Sequence, residues 1–244
     1  MCIRDRVALL AVGLIIAALF LAQNYAALVN LGAPALRSEH IACPLNDVRK
    51  AEVSINFPGG TGDIIALQDS LNLIEGQVSY YGYLTSKIST SGDTARVRLS
   101  SHFTSFGSRW WAASQEKWML ALNPRPAYEL TLDTGSGLYE FDLRQLTVRS
   151  LELDCGSGSV RLTLPESGQY RCKIEGGSGK LDIHVPEGVA VRVEYDAGSG
   201  RLYAPGLRQV NGGRDGVYES EGFTQSGHYV VIRLQGGAGD ITIR

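Results

Sequence analysis

The sequence predicts an all-β fold, a single-domain β-solenoid of stacked rungs of about 21 residues with Gly-Ser-Gly turns, preceded by one N-terminal transmembrane helix. Three observations predict it. Gly-Ser-Gly triplets begin at Gly135, Gly156, Gly177 and Gly198, each 21 residues after the one before, and a fixed period of this size marks units that bury their apolar faces only against one another. Apolar and polar residues alternate on both sides of each triplet, the two-residue period of a strand. The third observation is the unbroken apolar run from Val7 to Ala22, with no charge between Arg6 and Arg37.

The opening residues 1–6, MCIRDR, resemble a translated sequencing-adapter scar and are set aside as doubtful, with further membrane spans expected upstream if the true start is lost. Residues 7–31 have the length and composition of a membrane span, with Gln23, Asn24 and Tyr25 near the interface. A cleaved signal peptide is the alternative, but no Ala-x-Ala site follows the apolar core, which favours a retained anchor. Arg4 and Arg6 place the N-terminus inside and the β domain outside, an extracytoplasmic location at a cell membrane. Residues 32–50, with Pro34 and Pro44, read as a linker.

The solenoid is expected over 51–244. VSINFPGGTGDIIAL (Val53 to Leu67) echoes the last segment VVIRLQGGAGDITIR (Val230 to Arg244), so these two are expected as degenerate rungs at the two ends of the stack. Residues 76–125 break the period and read as irregular strands, two of them joined as a hairpin by a Ser-Gly-Asp turn, with a short helical turn expected in RWWAASQEKW.

In the central repeats the inward columns are Leu130, Leu151, Cys172 and Val193; Leu132, Leu153, Ile174 and Tyr195; Tyr139, Val160, Leu181 and Leu202; and Phe141, Leu162, Ile183 and Ala204. The turn glycines answer to positive φ or to close backbone approach, which only glycine accepts cheaply. The last two triplets are one period plus a surplus apart, and the surplus, residues 206–228, reads as a projecting hairpin or loop.

With 23 basic and 25 acidic residues and no like-charge run, the chain has no footprint for nucleic acid or a polybasic membrane patch. His40, His102, His184 and His228 show no metal-like spacing, and no nucleophile elbow, phosphate loop or paired Cys-x-x-Cys motif is present; no cofactor is expected. Cys155 and Cys172 fall about 13 Å apart when the rungs are aligned, too far for a bridge, and read as buried thiols.

Two surface candidates remain. Asp133, Asp154, Glu175 and Asp196 share one column, where carboxylates about 4.8 Å apart repel. A cation such as calcium would relieve this, although Arg171, Lys173 and Arg192 on the same face make a solvated ladder the better reading. Tyr80, Tyr81, Tyr83, Trp110, Trp111 and Trp118 gather outside the repeats, either as an interaction surface for sugar rings or a membrane, or as the cover of a core end.

The pattern from WMLALNPRPAYELTLDTGSG through LELDCGSGSVRLTLPESG, with INFPGGTGDI before it and PEGVAVRV after it, resembles the toastrack domain of bacterial envelope proteins, the LiaF-like and "putative adhesin" group. The likeness extends over about 51–244. It implies a membrane-linked β-solenoid in adhesion or envelope-stress sensing, without established enzyme activity, and with membrane, wall polysaccharide or another envelope protein as partners. LiaF-like members usually carry several membrane helices, whereas this chain shows one. The function expected is a non-catalytic, membrane-anchored interaction module. Alternatives are a carbohydrate-active β-helix enzyme, a lyase or hydrolase, and a regulatory partner of a membrane histidine kinase.

Overall fold

The computed structural model describes residues 35–102, 115–213 and 215–244, of which 36–244 form one unit. The doubtful residues 1–6, the predicted span at 7–31, and Trp110 and Trp111 with the helical turn expected around them lie outside the described residues. Among those described, no helix is long and apolar enough to cross a membrane.

The strands in chain order are β1 Arg37–Pro44, β2 Lys50–Phe57, β3 Thr61–Ala66, β4 Asn72–Tyr80, β5 Tyr83–Ser91, β6 Thr94–His102, β7 Lys117–Leu122, β8 Ala127–Thr134, β9 Leu138–Asp142, β10 Thr147–Cys155, β11 Ser159–Thr163, β12 Gln169–Glu175, β13 Leu181–His184, β14 Ala190–Asp196, β15 Leu202–Tyr203, β16 Arg208–Gly212, β17 Gly216–Glu219, β18 Tyr229–Gln235 and β19 Ile241–Ile243. They form two sheets. Sheet A runs β1-β4-β7-β3-β9-β11-β13-β19-β15 and sheet B runs β16-β17-β14-β18-β12-β10-β8-β2-β6-β5. The chain lies in sheet B before each glycine triplet and in sheet A after it, so a rung is one strand of each sheet, paired in parallel with the rungs above and below.

Register shows why the stack is dry inside. Leu99, Ile55, Leu132, Leu153, Ile174, Leu234 and Tyr195 follow one another as cross-strand partners across sheet B, and all are buried. Sheet A answers with Leu120, Ile64, Phe141, Leu162, Ile183 and Ile243, also buried. Each large aliphatic side chain so removed from water contributes roughly 1.5–3 kcal/mol. Cys172 partners Leu151 and Ile232 in this interior, and Cys43, Cys155 and Cys172 are free, buried thiols; burial pushes the Cys155 thiol up to about 12.

The glycine triplets owe their composition to close approach. A Cβ built on Gly177 would stand 1.7 Å from the Gly156 carbonyl oxygen, and one on Gly179 would stand 1.7 Å from the Gly158 oxygen. Positive φ is found instead at the opposite corners, at Gly168 (φ 103) and Gly188 (φ 84), and at Gly60 (φ 71) in the corner between β2 and β3.

The order of the rungs departs from the order of the chain at both ends. The two echo segments are interior, not terminal: β2 lies between β6 and β8, and β18 between β12 and β14. The outermost rungs are β6/β7 at one end and β14/β15 at the other. After β3 the chain steps outward to build β4, β5 and the β6/β7 rung, then returns to β8. After β15 it builds the antiparallel pair β16 and β17 on the outer side of β14 and comes back to fill the slot beside β12. The two aperiodic stretches are the lengths of chain these excursions require.

Three further expectations change accordingly. The described residues of 76–125 supply a regular rung, β6/β7, and its cap. The 206–228 surplus does not project: Arg192 binds Glu219 at 2.7 Å and locks its hairpin to β14. The supposed linker contains β1, paired antiparallel with β4.

Asn123, before the Pro124 that precedes the first full repeat, holds one return. Its buried amide donates to the carbonyls of Ser70 (3.1 Å) and Asn72 (2.8 Å) and its Oδ1 accepts from the Arg125 N–H (3.1 Å), while Tyr128 Oη donates to its own carbonyl at 2.6 Å. Asn123→Ala leaves the two carbonyls and the amide N–H without these partners and is expected to cost about 2–3 kcal/mol, read as a fall in denaturant midpoint at unchanged slope.

Candidate interaction surface

Side chains that alternate away from the core make two charged outer faces. On sheet B the column ahead of the glycine corner reads Asn56, Asp133, Asp154, Glu175, Gln235, Asp196 in register. Asp133, Asp154 and Glu175 are consecutive neighbours, as expected, but Gln235 separates Glu175 from Asp196 because the C-terminal rung is inserted there. The ladder is also answered from within the protein: Asn56 Nδ2 donates to Asp133 Oδ2 at 2.6 Å, and Lys173 Nζ lies 2.8 Å from Glu175. Partial burial and then the Asp154 charge hold the Asp133 carboxyl above its ordinary value. Among the described residues no group of three or more His, Cys, Asp and Glu is arranged to hold a metal ion.

The aromatic candidates divide. Tyr80, Tyr81 and Trp118 are buried in the core, where Trp118 packs on Phe57 at 5.6 Å between ring centroids. Phe57 reaches the space left by the absent side chain of Gly62, where a Cβ would come within 2.6 Å of its ring. Tyr83 alone of the four described is exposed, stacked on His102 at 5.0 Å. The strand alternation that buries Trp118 also exposes Met119. Of the two expectations for these aromatics, the burial of Tyr80, Tyr81 and Trp118 accords with the cover of a core end, and Tyr83 is the one of the four that a surface could use.

Glu116 was not foreseen. It is a buried carboxylate accepting from the Tyr81 N–H at 3.0 Å and from Ser101 Oγ at 3.3 Å. Burial raises its pKa and these hydrogen bonds only partly offset that. A carboxyl with a raised folded-state pKa contributes stability at acid pH that is lost as pH climbs through that value. Stability should therefore decline from the ordinary carboxylate range upward, and Glu116→Gln, whose oxygen can still accept from the Tyr81 N–H while its amide donates to Ser101 Oγ, should flatten this decline in melts taken across pH.

On sheet A the strands β4, β7, β3 and β9 present an outer groove of about 620 Å³. Its floor is apolar: Ile65 is 53% exposed and Met119 41%. Asp63, Glu75, Glu140 and Asp142 line it with His40, and among the described residues no lysine or arginine does. A signal for it exists in the sequence, since two adjacent apolar residues in one strand, Ile64 and Ile65, force one of them outward.

The family model described as the N-terminal domain of toast_rack, DUF2154, matches residues 33–184. The chain belongs to the toast_rack family. Its fold is similar to the crystal structure of a "putative cell adhesion protein" from Clostridium sporogenes, with a TM-score of 0.72 and 22% identity over 86% of this chain and 99% of that one. A "putative adhesin" from Bacteroides fragilis aligns over 87% of the toast_rack chain and 100% of its own at 11% identity and a TM-score of 0.31. No curated protein matches.

Proposed function

We propose that this toast_rack chain is a non-catalytic module of a bacterial cell envelope, anchored by the apolar segment 7–31, with its β domain on the extracytoplasmic side serving adhesion or envelope sensing. The observation that carries this reading is the exposed apolar and acidic groove held on paired strands of sheet A, a preformed surface of the kind that receives a partner. The fold likeness to a protein described as a "putative cell adhesion protein" supports it, as does the long apolar run before the domain. The test is twofold. Protease treatment of intact cells should digest the β domain while the anchor stays in the membrane fraction, and the purified chain should sediment with isolated envelopes. Full recovery in the soluble fraction, or no sedimentation above a scrambled-charge control, overturns the proposal.

One observation favours a second reading, a carbohydrate-active enzyme. Asp63 and Glu140 are cross-strand neighbours in the groove, and burial and then Glu140 raise the Asp63 pKa, the kind of pair that glycoside hydrolysis uses. Release of reducing sugar from wall polysaccharide, abolished by Asp63→Asn, would decide for it.

A further inference from the structure

The groove on sheet A has a definite chemistry. In register, Gln77, Met119, Asp63 and Glu140 form one row across β4, β7, β3 and β9, and Glu75, Ala121 and Ile65 form the next. Met119 and Ile65 are thus diagonal neighbours, an apolar stripe with carboxylates on both flanks. Glu140 and Asp142 are engaged from outside the groove, by Arg161 at 3.5 Å and Arg144 at 2.5 Å. Asp63 and Glu75 have no ion pair within 4 Å among the described residues. Ser70 and Asn72 donate to Glu75 and hold its carboxyl below the ordinary range, so it is a fixed negative charge. At Asp63 the neighbouring Glu140 charge is only partly offset by Lys117. Asp63 and Glu75, on opposite flanks of the apolar stripe and without ion pairs of their own, favour a ligand that brings cations.

From this juxtaposition we infer that the groove receives a basic amphipathic segment of a protein, in which large apolar side chains seat against Ile65 and Met119 and flanking lysines or arginines meet Asp63 and Glu75. The inference deepens the proposed function and rests on it, since it names the partner chemistry of that surface. A lipid surface is disfavoured by the same charges: anionic headgroups would be repelled by the carboxylates, while apolar contact alone would leave them buried and unpaired. An acidic or neutral peptide gains the apolar contact but not the charge complement.

The test is fluorescence anisotropy with the full chain and a labelled peptide of alternating lysine and leucine. Peptides of alternating glutamate and leucine, and of lysine and serine, are the controls, and phosphatidylglycerol vesicles form the lipid arm. The lysine-leucine peptide should bind, with each control at least about tenfold weaker, the ratio equivalent to about 1.4 kcal/mol. Asp63→Lys and the double variant Ile65→Ser/Met119→Ser should each weaken it by a similar factor. All three residues have exposed or half-exposed side chains, so melting curves are expected to match wild type and verify folding. Equal binding by the glutamate-leucine peptide, equal binding by the variants, or wild-type binding to the vesicles that is lost in Ile65→Ser/Met119→Ser would overturn the inference. The envelope sedimentation assay separates the two levels. If wild type sediments and the groove variants sediment equally, the groove is wrong and the adhesion module stands; if wild type does not sediment, the module reading falls whatever the peptide does.

Discussion

Leu153→Asp unfolds the stack. Leu153 is 2% exposed and lies between Leu132 and Ile174 in the column that runs the length of sheet B. Its rung, β10/β11, is the middle one, so three rungs depend on it from each side. An aspartate there forfeits roughly 2 kcal/mol of apolar burial and leaves a carboxylate without a counter-charge, a cost of about 3–5 kcal/mol. Together these rival the entire stability of an ordinary domain, about 5–15 kcal/mol. Because a central rung is lost, neighbour contacts disappear in both directions and the halves lose their shared core. Circular dichroism at 25 °C should show loss of strand signal, or a single transition at sharply lower temperature. The neighbouring Glu152→Gln, on the solvent face, should melt like wild type. An unchanged midpoint for Leu153→Asp would mean that this column is not internal.

Gly179→Ala forces the stack apart at its corner. The added methyl carbon would sit 1.7 Å from the Gly158 carbonyl oxygen, and that oxygen belongs to the adjoining corner, which is itself wedged against Gly137. Unlike a flexible side chain, this carbonyl cannot swing away freely, because the Ser159 N–H of the same peptide group donates to the Gly137 carbonyl at 2.8 Å. Relief requires the rungs to shift, and overpacking of this kind costs about 1–3 kcal/mol, with the upper end expected here. At about 2–4 °C per kcal/mol for a chain of this size, the melting temperature should fall by roughly 6–12 °C. Gly206→Ala is the control, since a Cβ there meets nothing within 4 Å, and it should leave the melt unchanged. A Gly179→Ala protein as stable as the control would show that the corners are spaced more widely than described.

The sequence by itself determined the repeat, the inward columns and the small corners. These are local properties: alternation names the buried face of each strand, and a 21-residue period names the partner of each residue in the next rung. Leu130, Leu151 and Cys172, and Tyr139, Val160 and Leu181, sit in register as the period required. The groove was half legible. Asp63, Ile65 and Met119 can each be placed on an outer face by counting residues, but their meeting depends on β7 lying beside β3, and that pairing follows no period.

Only the tertiary structure decided which rung lies beside which. Alternation and period are satisfied equally well by a rung at the end of the stack or in its middle, so the two echo segments carried no mark of their interior places. The carboxylate column shows the consequence: four evenly spaced acids in the chain become three neighbours and one outlier, because β18 brings Gln235 between Glu175 and Asp196. In that place both backbone edges of β18 are paired, by β12 and by β14, while the outer edge of β14 is paired in turn by β17 and held by the Arg192–Glu219 ion pair. Such pairings join residues far apart in the chain and leave no periodic mark in it.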